Sequence, residues 1–448
     1  MRLRWLLLGA LGVAVVLPVA AQREAYVKRG VLQRQAKAWV EEASCGVPVQ
    51  EGARLVVRAD LGTVRVRPGA ADRVECRVQL NVFTSSEEDA RRLLSRYELT
   101  ARRVTGGGAY VAGRFVSDRG HSGRVSVAYN IEVPLRFNLD LETQGGNMAV
   151  EQLEGELRVA TAGGDITTGD VNGPVRAETA GGNIKMGQIG QRLEARTAGG
   201  CVEVGDVKGD AILETSGGQI LAGRIDGRVR AETAGGDIVL RSAGADVIAQ
   251  TAGGQIRIGE SGGSVRAETA GGSIHLDAAR GPIRAETAGG SIDLYGIQSA
   301  VRAATAGGKI LAQIAATSAN FAASELETAF GDVEVYLPAD LPLTIEATIE
   351  MSAGHRVQTD FPLQVEGDET GYRSGALRAF GALNGGGATL RIRTVDGDIE
   401  IRKIDTATLE RLQQRQQMHW KRWQQQQQRR EEREKEHEKE RKKRKEPD

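Results

Sequence analysis

Side chains capable of chemistry are sparse in this 448-residue chain. Carboxylates stand at Asp165, Asp170, Asp237, Asp277 and Asp293, a histidine at His275, and cysteines at Cys45, Cys76 and Cys201. Paired carboxylates lining a groove would suit glycoside hydrolysis, usually with aromatic rings to stack the sugar. The five acids share no common spacing, and Tyr295 is the only aromatic ring between Thr143 and Ile310. His275 falls at an outward phase of its local alternation, which reads as a surface histidine and not as a base. No Cys-x-x-Cys or Cys/His cluster has zinc spacing. The glycine pairs described below are followed variously by Asp, Asn, Cys, Gln, Ser or Lys, so the recurring G-G-x-G-x-D of calcium-binding repeats is missing. "TGGGAYVAG" at 105–113 lacks the strand-to-helix setting of a nucleotide-binding loop and reads as a hairpin. The expectation is no catalytic residue, no cofactor and no metal.

The elements carrying these residues are set by a repeat. Thr143, Thr161, Thr179, Thr197, Thr215, Thr233, Thr251, Thr269, Thr287 and Thr305 follow one another at 18-residue intervals, each with Gly-Gly two and three places on. Around Thr233, Val229 and Ala231 alternate with Arg230 and Glu232, and after Gly235-Gly236, Ile238 and Leu240 alternate again. Period-2 alternation is the mark of half-buried strands. Eighteen residues are too few for a propeller blade or a helix pair. The prediction is an all-β fold: a parallel β-solenoid of 18-residue coils over 143–314, each coil holding two or three short strands.

Stacking at ~4.8 Å turns each recurring letter into a ladder. Ile184, Val202, Ile220, Ile238, Ile256, Ile274, Ile292 and Ile310 form an apolar one, and the threonines form a second whose hydroxyls pass hydrogen bonds between coils. Gly163-Gly164, Gly181-Gly182, Gly235-Gly236, Gly271-Gly272 and Gly289-Gly290 are expected to turn one corner with positive φ. Outward Arg176/Glu178, Arg230/Glu232, Arg266/Glu268 and Arg284/Glu286, with Glu194/Arg196 inverted, read as balanced charge on a solvated face.

Non-repeat segments flank the array. Residues 45–142 read as a β-rich cap with one short helix in "SSEEDARRLLSRYELTA", where Ser85 and Glu88 could form a capping box. Residues 315–404 read as strands completing the solenoid, with Gly331-Asp332 and Gly397-Asp398 as diverged turns. These flanks, "LVVRADLGTVRVRPGAADRVECRVQLNV" and "VAYNIEVPLRFNLDLETQGGNMAVEQLEG" before and "LETAFGDVEVYLPADLPLTIEATIEMSAG" and "LRIRTVDGDIEIRKI" after, resemble the putative-adhesin β-strand repeat family of bacterial envelope domains. The resemblance spans residues 45–404 and carries no catalytic residues. It implies a β-solenoid on the cell-surface side.

The ends differ from the middle. Residues 1–21 read as a secretory signal peptide: Arg2 and Arg4, an apolar run from Leu6 to Val19, then Ala20-Ala21. A leader follows at 22–44. An exported chain permits a disulfide, and Cys45 with Cys76 is the only cysteine pair outside the repeats, although sequence alone does not fix the geometry. The 59 basic and 59 acidic residues cancel, which excludes net charge as a reason to expect nucleic acid. From Ala407 onward there are 14 Lys/Arg against 9 Asp/Glu. This tail, 405–448, reads as helical, coiled-coil-like or disordered. Trp420 and Trp423 with Lys439, Arg441, Lys442, Lys443, Arg444 and Lys445 could contact anionic lipid or polymer.

These readings lead to a non-catalytic exported envelope protein, an adhesin-like scaffold or binding surface in the periplasm, on the outer surface or secreted. Its partner would be an envelope protein, a polysaccharide or anionic lipid. A self-assembling scaffold and a polysaccharide-active enzyme are the alternatives.

Overall fold

The computed structural model describes residues 24–116, 124–317, 320–352, 354–367, 375–405, 408–414 and 416–418, with 421, 425 and 429. The predicted signal peptide, together with Trp420, Trp423 and Lys439 to Lys445, lies outside the described residues.

Each 18-residue period makes two strands. Around Thr233 these are Val229–Glu232 and Ile238–Ala243. The first kind pairs in parallel with its counterpart one period on: Val175 lies opposite Leu193, and Leu193 opposite Ala211. The second kind does the same, aligning Ile184, Val202, Ile220 and Ile238. Two long, mainly parallel sheets result, called below the threonine sheet and the isoleucine sheet. Their inner faces meet in one core: Val175, Ala177, Thr179, Ile184, Met186 and Ile189 of a single period are all buried. Burying both inner rows is what a strand with one apolar face requires.

The threonine ladder works through the glycines. Thr179 Oγ1 donates to the carbonyl of Gly164 in the preceding coil (2.9 Å) and accepts from the N–H of Gly182 in its own (3.3 Å). Thr197, Thr251 and Thr269 repeat both bonds. The hydroxyls do link coils, but by way of a glycine carbonyl.

The positive-φ expectation for the glycine pairs is overturned. None of Gly163, Gly164, Gly181, Gly182, Gly235, Gly236, Gly271, Gly272, Gly289 and Gly290 has a left-handed φ. The second glycine is required for a different reason: a Cβ on Gly182 would lie 2.0 Å from Gly164 O, and one on Gly236 2.1 Å from Gly218 O. The first glycine is less crowded: a Cβ would meet nothing within 4 Å at Gly163 and nothing nearer than 3.7 Å at Gly181, although at Gly217 it would lie 3.2 Å from Gly199 O. Close approach of backbone to backbone sets the requirement, not turn conformation.

Both ends of the stack are closed. Before the array, Arg54–Ala59 and Thr63–Pro68 form an extra coil beneath Asn138–Thr143 and Met148–Leu153. The hairpin Tyr97–Val104/Gly108–Phe115 covers its threonine-sheet edge, turning at Gly106 and Gly107 with φ near +80°. Val125–Val133 joins the other sheet parallel to Thr63–Pro68, and Arg73–Val82 and Ala38–Pro48 extend it antiparallel. Cys45 and Cys76 are in register there and form a disulfide, Cα atoms 5.0 Å apart. The helix Glu87–Leu94 is capped by Ser86, one residue later than expected, whose hydroxyl accepts from Asp89 N–H (3.4 Å). Arg29 donates to Leu94 O at its other end (3.1 Å), where a cation complements the helix dipole. Inside this cap the Tyr97 and Tyr129 hydroxyls share a hydrogen bond. Burial pushes the Tyr129 pKa up to about 12 and Tyr97 higher.

At the other end the 18-residue spacing breaks after Thr305. Thr328 and then Thr394 continue the register. Leu377–Leu383 and Gln364–Glu366 close the threonine sheet antiparallel, and the three-residue strand Val357–Thr359 ends the isoleucine sheet.

Candidate functional site

Outside the core, each sheet presents columns of side chains one coil apart. On the threonine sheet, Arg230–Glu232 (2.6 Å), Arg266–Glu268 (2.7 Å) and Arg284–Glu286 (2.9 Å) pair within coils. The inverted coil pairs within itself as well, Arg196 with Glu194, and also joins its neighbours: Arg196 reaches Glu214 at 2.7 Å and Glu178 at 3.9 Å, and Arg176 reaches Glu194 at 3.6 Å. Burial alone would raise the Glu268 carboxyl. Hydrogen bonds from Arg266 and Gln250, with the charges of Arg266 and Arg284, hold it below its ordinary value. Beside the glutamate column an open groove of about 1800 Å³ runs from Glu142 to Thr328, floored by Ala180, Ala234 and Ala270.

The acids considered for catalysis divide into two sets. Asp165 Oδ1 accepts the N–H of Asn183 one coil on (2.8 Å), Asn183 accepts that of Cys201, and Asp237 that of Gln255. Asp170 accepts from Gln188 (2.9 Å) in the same way. A short polar side chain beside the glycine pair thus satisfies a backbone donor that the sheet ladder leaves over. These acids are stacking elements. Among the described residues, no group of three or more His, Cys, Asp or Glu could hold a metal.

Asp277 and Asp293 belong to a different place, and here the sequence reading is corrected. Register puts Leu221, Val239, Arg257, His275, Asp293 and Leu311 in one outward column of the isoleucine sheet. The outward phase of His275 was right, but its exposure was not: it is 4% exposed, Arg257 8% and Tyr295 1%. Equivalent positions in earlier coils, Thr167, Lys185 and Glu203, are exposed. Around the buried ring the scattered residues do converge. His275 Nε2 lies 2.9 Å from Asp277 Oδ1, and its ring packs 5.5 Å from that of Tyr295. Burial lowers the Arg257 pKa despite the charges of Asp277, Asp293 and Asp237.

Over Tyr295 and Leu311 the cover comes from the tail. After the last strand, Ile399–Lys403, the chain turns at Asp405 and is helical over 408–414 and 416–418. Asp405 caps this helix, accepting from Thr408 N–H at 2.7 Å. Hydrogen bonds from the Thr408 side chain and N–H hold the Asp405 carboxyl below its ordinary value. Leu412, 2% exposed, is buried against Tyr295 and Leu311, with Tyr336 alongside. One turn further, Gln416 Nε2 donates to Asp277 O (3.3 Å). The helix therefore runs back over the isoleucine sheet from its last coils towards earlier ones. A pocket of about 420 Å³ lined by Arg257, His275, Asp293, Tyr295 and Lys309 opens on one side. Another of about 630 Å³, lined by Glu203, Leu221, Arg241 and Glu260, opens on the other. Sequence reading missed this site because nothing in the tail marks which coils it meets. Among the described residues no helix is long and apolar enough to cross a membrane.

Comparison with known proteins adds little to this geometry. No family model and no curated protein matches the chain. A crystal structure of a "putative cell adhesion protein" from Clostridium sporogenes aligns over 85% of this chain and 100% of its own, at 8% identity and a TM-score of 0.15. A "putative adhesin" from Bacteroides fragilis aligns over 81% and 97%, at 10% identity and a TM-score of 0.21. Superpositions at that level fix neither fold nor role.

Proposed function

We propose that the chain is a non-catalytic, exported envelope protein: an adhesin-like β-solenoid scaffold whose two outer faces serve as binding surface. The observation that carries this reading is the unbroken parallel register of ten 18-residue periods. Its recurring polar side chains are committed to stacking or to surface ion pairs. Threonine hydroxyls bond glycine carbonyls, the acids beside the glycine pairs bond the next coil, and the outward arginines and glutamates pair with each other. Repeat stacks of this kind build long surfaces from nearest-neighbour contacts, and such surfaces suit extended partners. An envelope protein, a polysaccharide or anionic lipid is the partner class, met through the faces or the basic tail. Export rests on the signal-like residues 1–21.

The test is affinity capture from envelope fractions with the full chain and with a chain lacking 407–448, alongside localisation of both. A retained envelope partner, with capture or localisation altered by the deletion, supports the reading and the tail's part in it. No retained partner and unchanged localisation count against both.

A further inference from the structure

The column Val239, Arg257, His275 and Leu311, with Tyr295 beside it, differs from the rest of its sheet. Earlier coils place Thr167, Lys185 and Glu203 at the same position and expose them. Later coils place Val239, Arg257, His275 and Leu311 there and bury them, with Asp293 half-buried between the last two. A sheet face that would otherwise meet water has been built as an interior, and a helix lies on it. The layout has the anatomy of a protein–protein interface, with an apolar centre at Tyr295 and Leu311 and a polar rim. Lys309 and Asp293 form the rim on one side, Glu203, Arg241 and Glu260 on the other.

Along its described residues the helix buries Thr408 and Leu412 and half-buries Gln416, while Leu409, Glu410, Arg411, Gln413, Gln414, Gln417 and Met418 are exposed. Pocket space remains on both flanks. The link from Lys403 to Thr408 is short, so the helix occupies the face as a tethered ligand at high effective concentration.

We propose that the isoleucine-sheet face around Asp277, Tyr295 and Leu311 is a helix-receiving surface, occupied in cis by the C-terminal helix and able to take an amphipathic helix of another protein when that helix leaves. The occupant is defined by what the resident helix presents: leucine at the centre and an amide one turn on, meeting a backbone carbonyl. This goes beyond the scaffold reading and does not depend on export or on an envelope partner.

The probe is a fluorescent synthetic peptide of residues 404–429, titrated into the full-length chain by anisotropy. Wild type should bind it weakly, because the competent face is largely occupied. Leu412→Asp, which puts a carboxylate against Tyr295 and Leu311, should release the resident helix and tighten peptide binding by about tenfold or more, as freeing a competent state requires. Adding Leu311→Asp or, separately, Tyr336→Asp should abolish that gain, with an unchanged circular dichroism spectrum showing that the sheets persist. No gain from Leu412→Asp, or a gain that survives both face substitutions, overturns the proposal. So does binding of Leu412→Asp to anionic lipid vesicles in place of peptide, which would assign the face to lipid.

Discussion

At Gly182 a methyl group would meet the Gly164 carbonyl, while at Gly181 the nearest atom leaves ordinary contact distance. The two glycines are adjacent and equally recurrent, yet their tolerances should differ. Gly182→Ala forces neighbouring coils apart and is expected to cost about 1–3 kcal/mol or more, the range for overpacking a tight site. Gly181→Ala should be near neutral. Thermal melts of the two variants check this, and equal losses would refute the close-approach account. At the same scale, Thr179→Val removes the donor to Gly164 O and the acceptor for Gly182 N–H. Leaving buried groups short of a partner costs about 1–3 kcal/mol, and Thr179→Ser should recover much of it. Recurrence made both positions legible in the sequence. The physical reason for the glycines was not, since the clash depends on a carbonyl 18 residues away.

Among the elements, the clearest titrating contact is in the C-terminal cap. His355 lies between Asp396 (2.6 Å) and Asp398 (3.2 Å). Burial lowers its pKa, but hydrogen bonds and charges from Asp398 and Asp396 outweigh this and raise it above the ordinary histidine value. A raised folded-state pKa gives stability that is fully present below the unfolded value near 6.5 and is lost as pH rises through the folded one. The cap should therefore melt earlier at pH 8 than at pH 6, by a small margin for so exposed a group, and His355→Gln should flatten that slope. Melting curves at the two pH values decide it. The Cys45–Cys76 bond, closing a separation of 31 residues, should contribute about 3 kcal/mol to the N-terminal cap, read as a lower melting temperature under reductant. The helix Glu87–Leu94 could be foreseen from "SSEEDARR", but its cap could not be placed: Ser85 has Glu88 three residues on and Ser86 has Asp89. Only the extended backbone of Ser86 decides between them. A helical tail was among the expectations for 405–448, but its docking could not be read. Its anchoring face is assembled from Tyr295, Leu311 and Asp277, which share no sequence pattern with the tail.

For the whole molecule, the period of 18 was enough to predict parallel stacked coils, because a fixed repeat leaves each strand one partner above and one below. The closures were foreseen only as caps. Antiparallel strands now cover or continue most sheet ends, and the isoleucine sheet finishes on a three-residue strand. Short or covered edges oppose end-to-end addition. Sedimentation over a wide concentration range should therefore show one species of monomer mass, and a mass rising with concentration would revive the self-assembly alternative. A glycan-degradation screen at high protein concentration should likewise stay silent.

The C-terminal helix starts from the last coil and lies back over its nearest neighbours, so its position is measured from one end only. Deleting one full period near the other end, such as residues 162–179, would shorten the rod by about 4.8 Å and restore the same letters at the junction. The cap ahead of it and the helix contacts behind it would not register the loss. Length and docking are thus independent variables in this molecule. Unequal exchange between near-identical coding repeats could change the reach of the rod while leaving the helix-covered face intact.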